Sequence, residues 1–350
     1  WCTLRTKTKQ KRQLPHTTKM NDSKKQVKAL GLCSGGLDSI LSALVLRDQG
    51  IDVSWVSFET PFFSADKARA AAEAHEIPLH VEDITPVYLE MMKAPQAGFG
   101  KNMNPCMDCH SLMFRLAGEM MVELGYDFLF SGEVMGQRPM SQNRSALRYV
   151  EKHSQYDGRI LRPLSARCLP PTEMEESGLV DRERLLDLSG RTRKPQMALA
   201  EKYGVKDYPS PAGGCLLTDK GFSQRLRDLF DHQETYARRE LHLLKHGRHM
   251  RLTPEVKIAV GRTQVENTAL AELVDAGNDL VLKTKGAPGP TVVIPGGGEE
   301  AAVLLAAAIC AGYSKAPNDA PAQVQVSAGG DQRIVTVLPL PPAQAKGYLI

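Results

Sequence analysis

The sequence predicts an α/β fold, a doubly wound parallel sheet, followed by a smaller α+β domain. Three observations carry this expectation. Strands and helices alternate from Gln26 to Ser131, a glycine-rich turn joins the first strand to the first helix, and past Thr253 short strands surround one helix. Alternation at that spacing argues for parallel strands covered on both faces.

The elements follow in order. Gln26 to Cys33 (QVKALGLC) reads as a buried strand, and Asp38 to Asp48 as a helix with Ile40, Leu41, Leu44 and Val45 on one face. A strand from Asp52 to Ser57, an alanine-rich helix from Asp66 to Glu76 and a strand from Pro78 to Asp83 come next. A helix over Ser111 to Leu124 leads to a strand at Asp127 to Ser131, and Arg159 to Pro163 is a further strand candidate. Thr172 to Lys202 is helical and charged in pattern. Asp219 to His249 predicts one long amphipathic helix with Phe222, Leu226, Leu229 and Phe230 on its apolar side. The last segment offers strands at 256–260, 279–283, 291–294, 324–326 and 333–337 around a helix at 299–312. The expected division is a disordered basic tail (1–25), a nucleotide-binding domain (26–218), a linker helix (219–252) and a separate α+β domain (253–350).

Composition excludes several classes. At 350 residues, 42% hydrophobic and 24% charged, the chain reads as globular. The longest apolar stretch, Ala301 to Ala311, is too short to span a bilayer, and the chain is expected to be cytoplasmic with no membrane partner. The net charge of +4 owes its sign to six Lys and Arg between Trp1 and Lys19, where no acid occurs; the rest is slightly acidic. Met20 reads as an initiator, with an organelle transit peptide as the alternative reading of that tail. Seven cysteines, an odd number, do not make a disulfide framework.

Two motifs carry chemistry. Ser34-Gly35-Gly36-Leu37-Asp38-Ser39 lies between the first strand and the first helix, where an open parallel sheet binds ligands. Glycines let the backbone approach an anion, loop amides and the helix start supply donors, Ser34 and Ser39 add hydroxyls, and Asp38 suits Mg²⁺ or a helix cap. A capped glycine turn is the plainer alternative. The second motif is Asn104-Pro105-Cys106-Met107-Asp108-Cys109-His110, with a later glycine-rich Pro211-Ala212-Gly213-Gly214-Cys215. Three such thiols suit a 4Fe–4S cluster, a persulfide with a resolving thiol, or zinc completed by His110 or Cys168. Cys33 and Cys310 read as packing residues.

The full SGGLDS resembles the PP-loop ATPases, the adenine nucleotide alpha hydrolase-like fold. With NPCMDCH and the run Gly132-Glu133-Val134-Met135-Gly136-Gln137 through Ser141-Gln142, it resembles the tRNA thiolation branch of that superfamily. The GExxGQ…SQ run is similar to the 4-thiouridine synthetase family; NPCxxC and the distal Gly-Cys resemble 2-thiouridylases as well. The resemblance implies ATP, with Mg²⁺, near Ser34, Gly35, Gly36, Asp38, Ser39, Gly132 and Gln137. It implies catalysis by Asp38, Cys106, Cys109 and Cys215, with the three cysteines as metal ligands where a 4Fe–4S cluster is used. It also implies a sulfurtransferase acting on tRNA, with 4-thiouridine as first product and 2-thiouridine as second, a sulfide or persulfide donor, and a homodimer as one assembly. Such synthetases carry a THUMP RNA-binding domain ahead of the loop. In its place, Val260-Gly261-Arg262, Glu266-Asn267 and Lys285 to Pro290 resemble an NFACT-type RNA-binding domain, which would offer Arg262, Lys283, Lys285 and Lys315 to phosphates. The alternatives are a PP-loop amide synthetase with structural zinc cysteines, and an RNA-binding module with a degenerate ATP site.

Overall fold

The computed structural model describes residues 26–209 and 215–350; the tail expected over 1–25 and the residues just ahead of Cys215 lie outside them. The first half runs β1 (Lys28–Leu32), α1 (Leu37–Arg47), β2 (Asp52–Glu59), α2 (Asp66–His75), β3 (Leu79–Asp83), α3 (Thr85–Lys93), α4 (Cys106–Leu124), β4 (Phe128–Ser131), α5 (Arg144–His153) and β5 (Ile160–Leu161). The five strands are parallel, in the order β3-β2-β1-β4-β5. Strand order reverses between β1 and β4, which opens a crevice at their carboxyl ends. One apolar layer, with Ile40, Leu41 and Trp55, lies under α1 and α2; another, with Tyr88, Phe114 and Met121, lies under α3 and α4. The sheet is therefore doubly wound.

Two expected helical stretches are corrected. Of 172–202, only α6 (Glu173–Glu176) and α7 (Lys194–Lys202) are α-helical. Between them the chain is pulled alongside the segment after β5, through Leu186 N–H to Pro163 O at 2.9 Å and Leu188 N–H to Leu164 O at 2.8 Å. The long helix expected over 219–249 is two, α8 (Lys220–His232) and α9 (Arg238–Leu243), followed by a strand, β6 (Arg248–Arg251). Gly247 makes the break between α9 and β6. Its φ is +77°, and a Cβ there would come 2.5 Å from the Val260 carbonyl oxygen. Pairing of β6 with its neighbour then overrides the helical periodicity.

The second half continues with β7 (Lys257–Val260), α10 (Gln264–Glu272), β8 (Leu280–Thr284), β9 (Val292–Ile294), α11 (Glu300–Gly312), β10 (Ala322–Ala328), β11 (Asp331–Val337) and α12 (Pro342–Ala345). Its six strands form an antiparallel sheet, β11-β10-β8-β9-β7-β6, closed on one face by Val303, Ala306, Ala307 and Cys310 of α11. This sheet begins upstream of the boundary expected at Thr253. Arg239 of α9 reaches it through Asp279 (2.7 and 3.0 Å), and Arg251 of β6 reaches back to Asp228 of α8 (2.6 and 3.1 Å). No helix among the described residues is long and apolar enough to cross a membrane.

Candidate active site

A cavity of about 470 Å³ opens at the carboxyl ends of β1, β2 and β4, and both sequence motifs reach it. On the phosphate-loop side, Gly35 has φ +69°, and a Cβ there would meet the Lys67 backbone at 2.2 Å, so the loop lies directly on the start of α2. Gly36 caps α1 in extended conformation. Ser34 and Ser39 hydroxyls pair at 3.2 Å, and the Ser34 amide donates to Ser39 Oγ at 3.3 Å. The free amides of the first turn of α1 face the same crevice.

Asp38 is held from one side. Gln137 Nε2 donates to its Oδ2 at 2.9 Å, and Gln196 of α7 donates to Gln137 Oε1 at 3.3 Å. Asp38 Oδ1 is buried without a partner. Gln137 therefore orients the carboxylate from behind. Gly132 lets β4 touch α1, since a Cβ there would lie 2.4 Å from the Asp38 carbonyl carbon. Gln142 folds its own loop, accepting the Arg138 amide at 3.1 Å.

Cys106 and Cys109 of α4 and the distant Cys215 line this one cavity. Cys106 is the first residue of α4, and Asn104 Nδ2 donates to its Sγ at 3.3 Å. Cys109 lies one turn on, open to the cavity yet deep in the protein; desolvation pushes its thiol strongly up, against the nearby Tyr88 hydroxyl. Cys215 is pushed up to about 11 by burial, against the Leu217 amide, which lowers it. Among the described residues no group of three His, Cys, Asp or Glu could hold a metal ion. Cys106 and Cys215 stand near enough to Cys109 to act electrostatically on its thiol. Cys33 (pushed up to about 12) and Cys310 (about 11) are desolvated packing thiols, and Cys168 donates to the Asp187 carbonyl at 3.1 Å.

Sequence reasoning missed a buried charge network behind the wall. Glu133 Oε1 meets His110 Nδ1 at 2.9 Å, and its Oε2 accepts from Ser131 Oγ at 3.1 Å and from Arg162 Nε at 2.9 Å. Arg162 also holds Glu151. Burial opposes the Glu133 carboxylate, but the adjacent guanidinium and His110 bring it down to about 2. His110 thus presents its ring to the cavity with Nδ1 engaged. Lys67, Arg138 and Arg193 add cationic groups to the lining. The GExxGQ run and the histidine after CxxC hinted at this; nothing in the sequence marked Arg162.

In the second half, Arg262 of the expected phosphate set is engaged by Glu266, while Lys283, Lys285 and Lys315 are exposed. Asn267 Oδ1 accepts the Thr291 amide at 2.9 Å, so these motif residues tie β7, α10 and β9 together.

Comparison with known proteins adds two family matches. Residues 24–167 match the family described as thiamine biosynthesis protein (ThiI), and residues 247–349 match the NFACT protein RNA binding domain. The tRNA-specific 2-thiouridylase MnmA of Dichelobacter nodosus is 25% identical over 223 residues, 59% of this chain and 56% of that protein. The Sulfurimonas denitrificans protein of the same name is 34% identical over 112 residues, 28% of this chain and 32% of its own. The chain thus spans little more than half, or less, of these relatives. A 4-thiouridine synthetase–RNA complex with bound ATP overlaps 40% of this chain and 37% of its own, at 24% identity and a TM-score of 0.33. The chain joins, within one polypeptide, a segment of the ThiI type over 24–167 to a segment of the NFACT RNA-binding type over 247–349.

Proposed function

We propose that the chain is an ATP-dependent tRNA thiolase, which adenylates a uridine carbonyl oxygen and replaces that oxygen with sulfur. The observation that carries the reading is the convergence of the SGGLDS loop, Asp38 and three cysteines on one cavity. A phosphate loop alone serves many reactions; a phosphate loop facing thiols suits activation followed by sulfur transfer.

ATP is placed with its phosphates on the loop amides and the start of α1, and Lys67, Arg138 and Arg193 balance its charge. Asp38 Oδ1, unpartnered and held by Gln137 from behind, fits Mg²⁺, which binds through one carboxylate plus phosphates and would screen the departing pyrophosphate. The uridine, taken out of its stack, attacks the α-phosphorus through its carbonyl oxygen, and pyrophosphate leaves. A persulfide on Cys215, loaded by an external sulfur donor, attacks the activated carbon through its terminal sulfur, and AMP departs with the oxygen. Cys106 thiolate then attacks Cys215 Sγ, forming a disulfide and releasing the thiouridine; an external dithiol restores both cysteines. Cys106 takes the resolving role because it stands at the start of α4 with Asn104 donating to its sulfur. Cys109, the most desolvated of the three, is the poorest nucleophile and acts as the third thiol of the wall.

Four-thiouridine is the first product proposed, on the GExxGQ…SQ run. The 2-thiouridine reading is second, supported by the names of the curated relatives. Incubation with ATP, a transcribed tRNA and sulfide or a persulfide donor, followed by nucleoside mass spectrometry, distinguishes the two. Pyrophosphate release unaffected by both Ser34→Ala and Asp38→Ala would overturn the adenylation step.

A further inference from the structure

We propose that Arg225 and Lys245, where α8 and α9 meet the second sheet, form a binding site for RNA phosphates leading toward the cavity mouth. The inference rests on the reading of the chain as a tRNA-modifying enzyme and adds the surface that grips the RNA outside the reaction cavity.

A run of basic groups crosses this seam. Arg238 neighbours His242 and Lys245, Lys245 neighbours His246, His246 neighbours Arg225, and Arg225 neighbours Arg262. The acids along the run are committed: Asp83 to Arg238, Glu266 to Arg262, and Asp219 to the Phe222 amide that it caps at 2.6 Å. Arg225 and Lys245 are left over. Both are partly buried, and among the described residues no carboxylate lies within 4.0 Å of either. Lys245 Nζ has His242 Nδ1 at 3.1 Å, and Arg225 Nε is buried without a partner. Burial pushes both cations down, against what Asp219 and Glu266 restore to Arg225.

The same seam pairs its other cations with care. Arg239 grips Asp279 through two hydrogen bonds, and Arg251 and Lys257 share Asp228. A seam that gives those groups a carboxylate in ion-pair contact, and Arg225 and Lys245 none among the described residues, leaves two partly desolvated charges for an external anion. A guanidinium fork held over the Phe222 ring at 6.0 Å, beside an ammonium, matches a phosphodiester. Position fits as well. Thr218 lines the cavity, and α8, which carries Arg225, starts two residues later. The segment matched to NFACT RNA binding starts at this same turn, at residue 247.

The test is fluorescence anisotropy of the full chain with a labelled, transcribed tRNA, titrated with salt. Two phosphate contacts make the slope of log affinity against log salt shallower by about 1.4 to 1.8 in Arg225→Gln/Lys245→Gln, and affinity at 0.1 M salt lower by about 25-fold or more. Arg225→Lys, which keeps the charge, is expected to retain most of the binding and guards against a folding artefact. Affinity within twofold of wild type in the double variant overturns the proposal. So does an equal loss from Arg227→Gln on the exposed side of α8, since any positive charge would then serve. Polyglutamate binding that falls in the double variant while tRNA binding does not would assign the site to an acidic protein and also overturn it. Wild-type tRNA binding with no sulfur incorporation would sink the thiolase reading while leaving the phosphate site standing.

Discussion

Replacing Arg162 by Met isolates the buried network behind the cavity. The Arg162 side chain is 1% exposed and bridges Glu133 and Glu151. The fall of Glu133 from 4.5 to about 2 corresponds to about 3 kcal/mol of folded-state preference for the carboxylate. In the wild type the unfolded chain binds the proton more readily, so this contribution is full above about pH 5 and is lost as pH falls toward 2. Without the guanidinium, burial is the dominant influence and carries Glu133 above 4.5. The folded state then binds the proton more readily, and stability declines as pH rises through the new value. Arg162→Met should therefore cost about 3 to 5 kcal/mol at pH 7 and less at pH 5. Urea unfolding of both proteins between pH 5 and 8 measures this directly. A loss below about 1 kcal/mol, or one that does not shrink toward pH 5, would refute the assignment of Arg162 as the partner that keeps Glu133 ionised.

Three further outcomes are expected. Gly35→Ala should lower stability by about 2 kcal/mol or more and abolish ATP binding, because φ +69° and the Lys67 backbone at 2.2 Å both oppose a Cβ; thermal melting with and without ATP checks it. Asp38→Ala should abolish pyrophosphate release, whereas Gln137→Ala, which frees but keeps the carboxylate, should slow it about tenfold, read from initial rates. Cys106→Ser and Cys215→Ser should each remove sulfur transfer while sparing pyrophosphate release; Cys109→Ser should reduce transfer less, and equal losses from all three would overturn the proposed division of roles.

The parallel sheet was legible because β1 and β4 are short, mostly apolar runs and its helices show a clear face, as in α1 with Ile40, Leu41 and Val45 buried. The phosphate loop was legible because glycines between a strand and a helix have few other uses. The end of the helix expected over 219–249 was not, since Gly247 ends the pattern through contact with Val260, a partner thirteen residues away that periodicity cannot see. α5 escaped notice for a similar reason. Its buried face is only Ala146, Leu147 and Val150, and its cap, Asn143, lies in a loop read for chemistry. The site was half legible: residue types and spacing pointed to the three cysteines and Asp38. That Gln137 faces Asp38, and that a fully buried arginine stands behind Glu133, depends on side chains meeting across 99 and 29 residues of sequence.

The two glycines that seat the phosphate loop act by what they lack. Gly35 rests on the backbone of Lys67, and Gly132 on that of Asp38, so α1 is pinned from both sides by main chain against main chain. Contacts of this kind depend on no neighbouring side chain. The Lys67 side chain can therefore vary without moving the loop, whereas neither glycine has a tolerated replacement. Tolerance to an added Cβ should accordingly be uneven along the loop, lost at these two glycines whatever side chain is introduced.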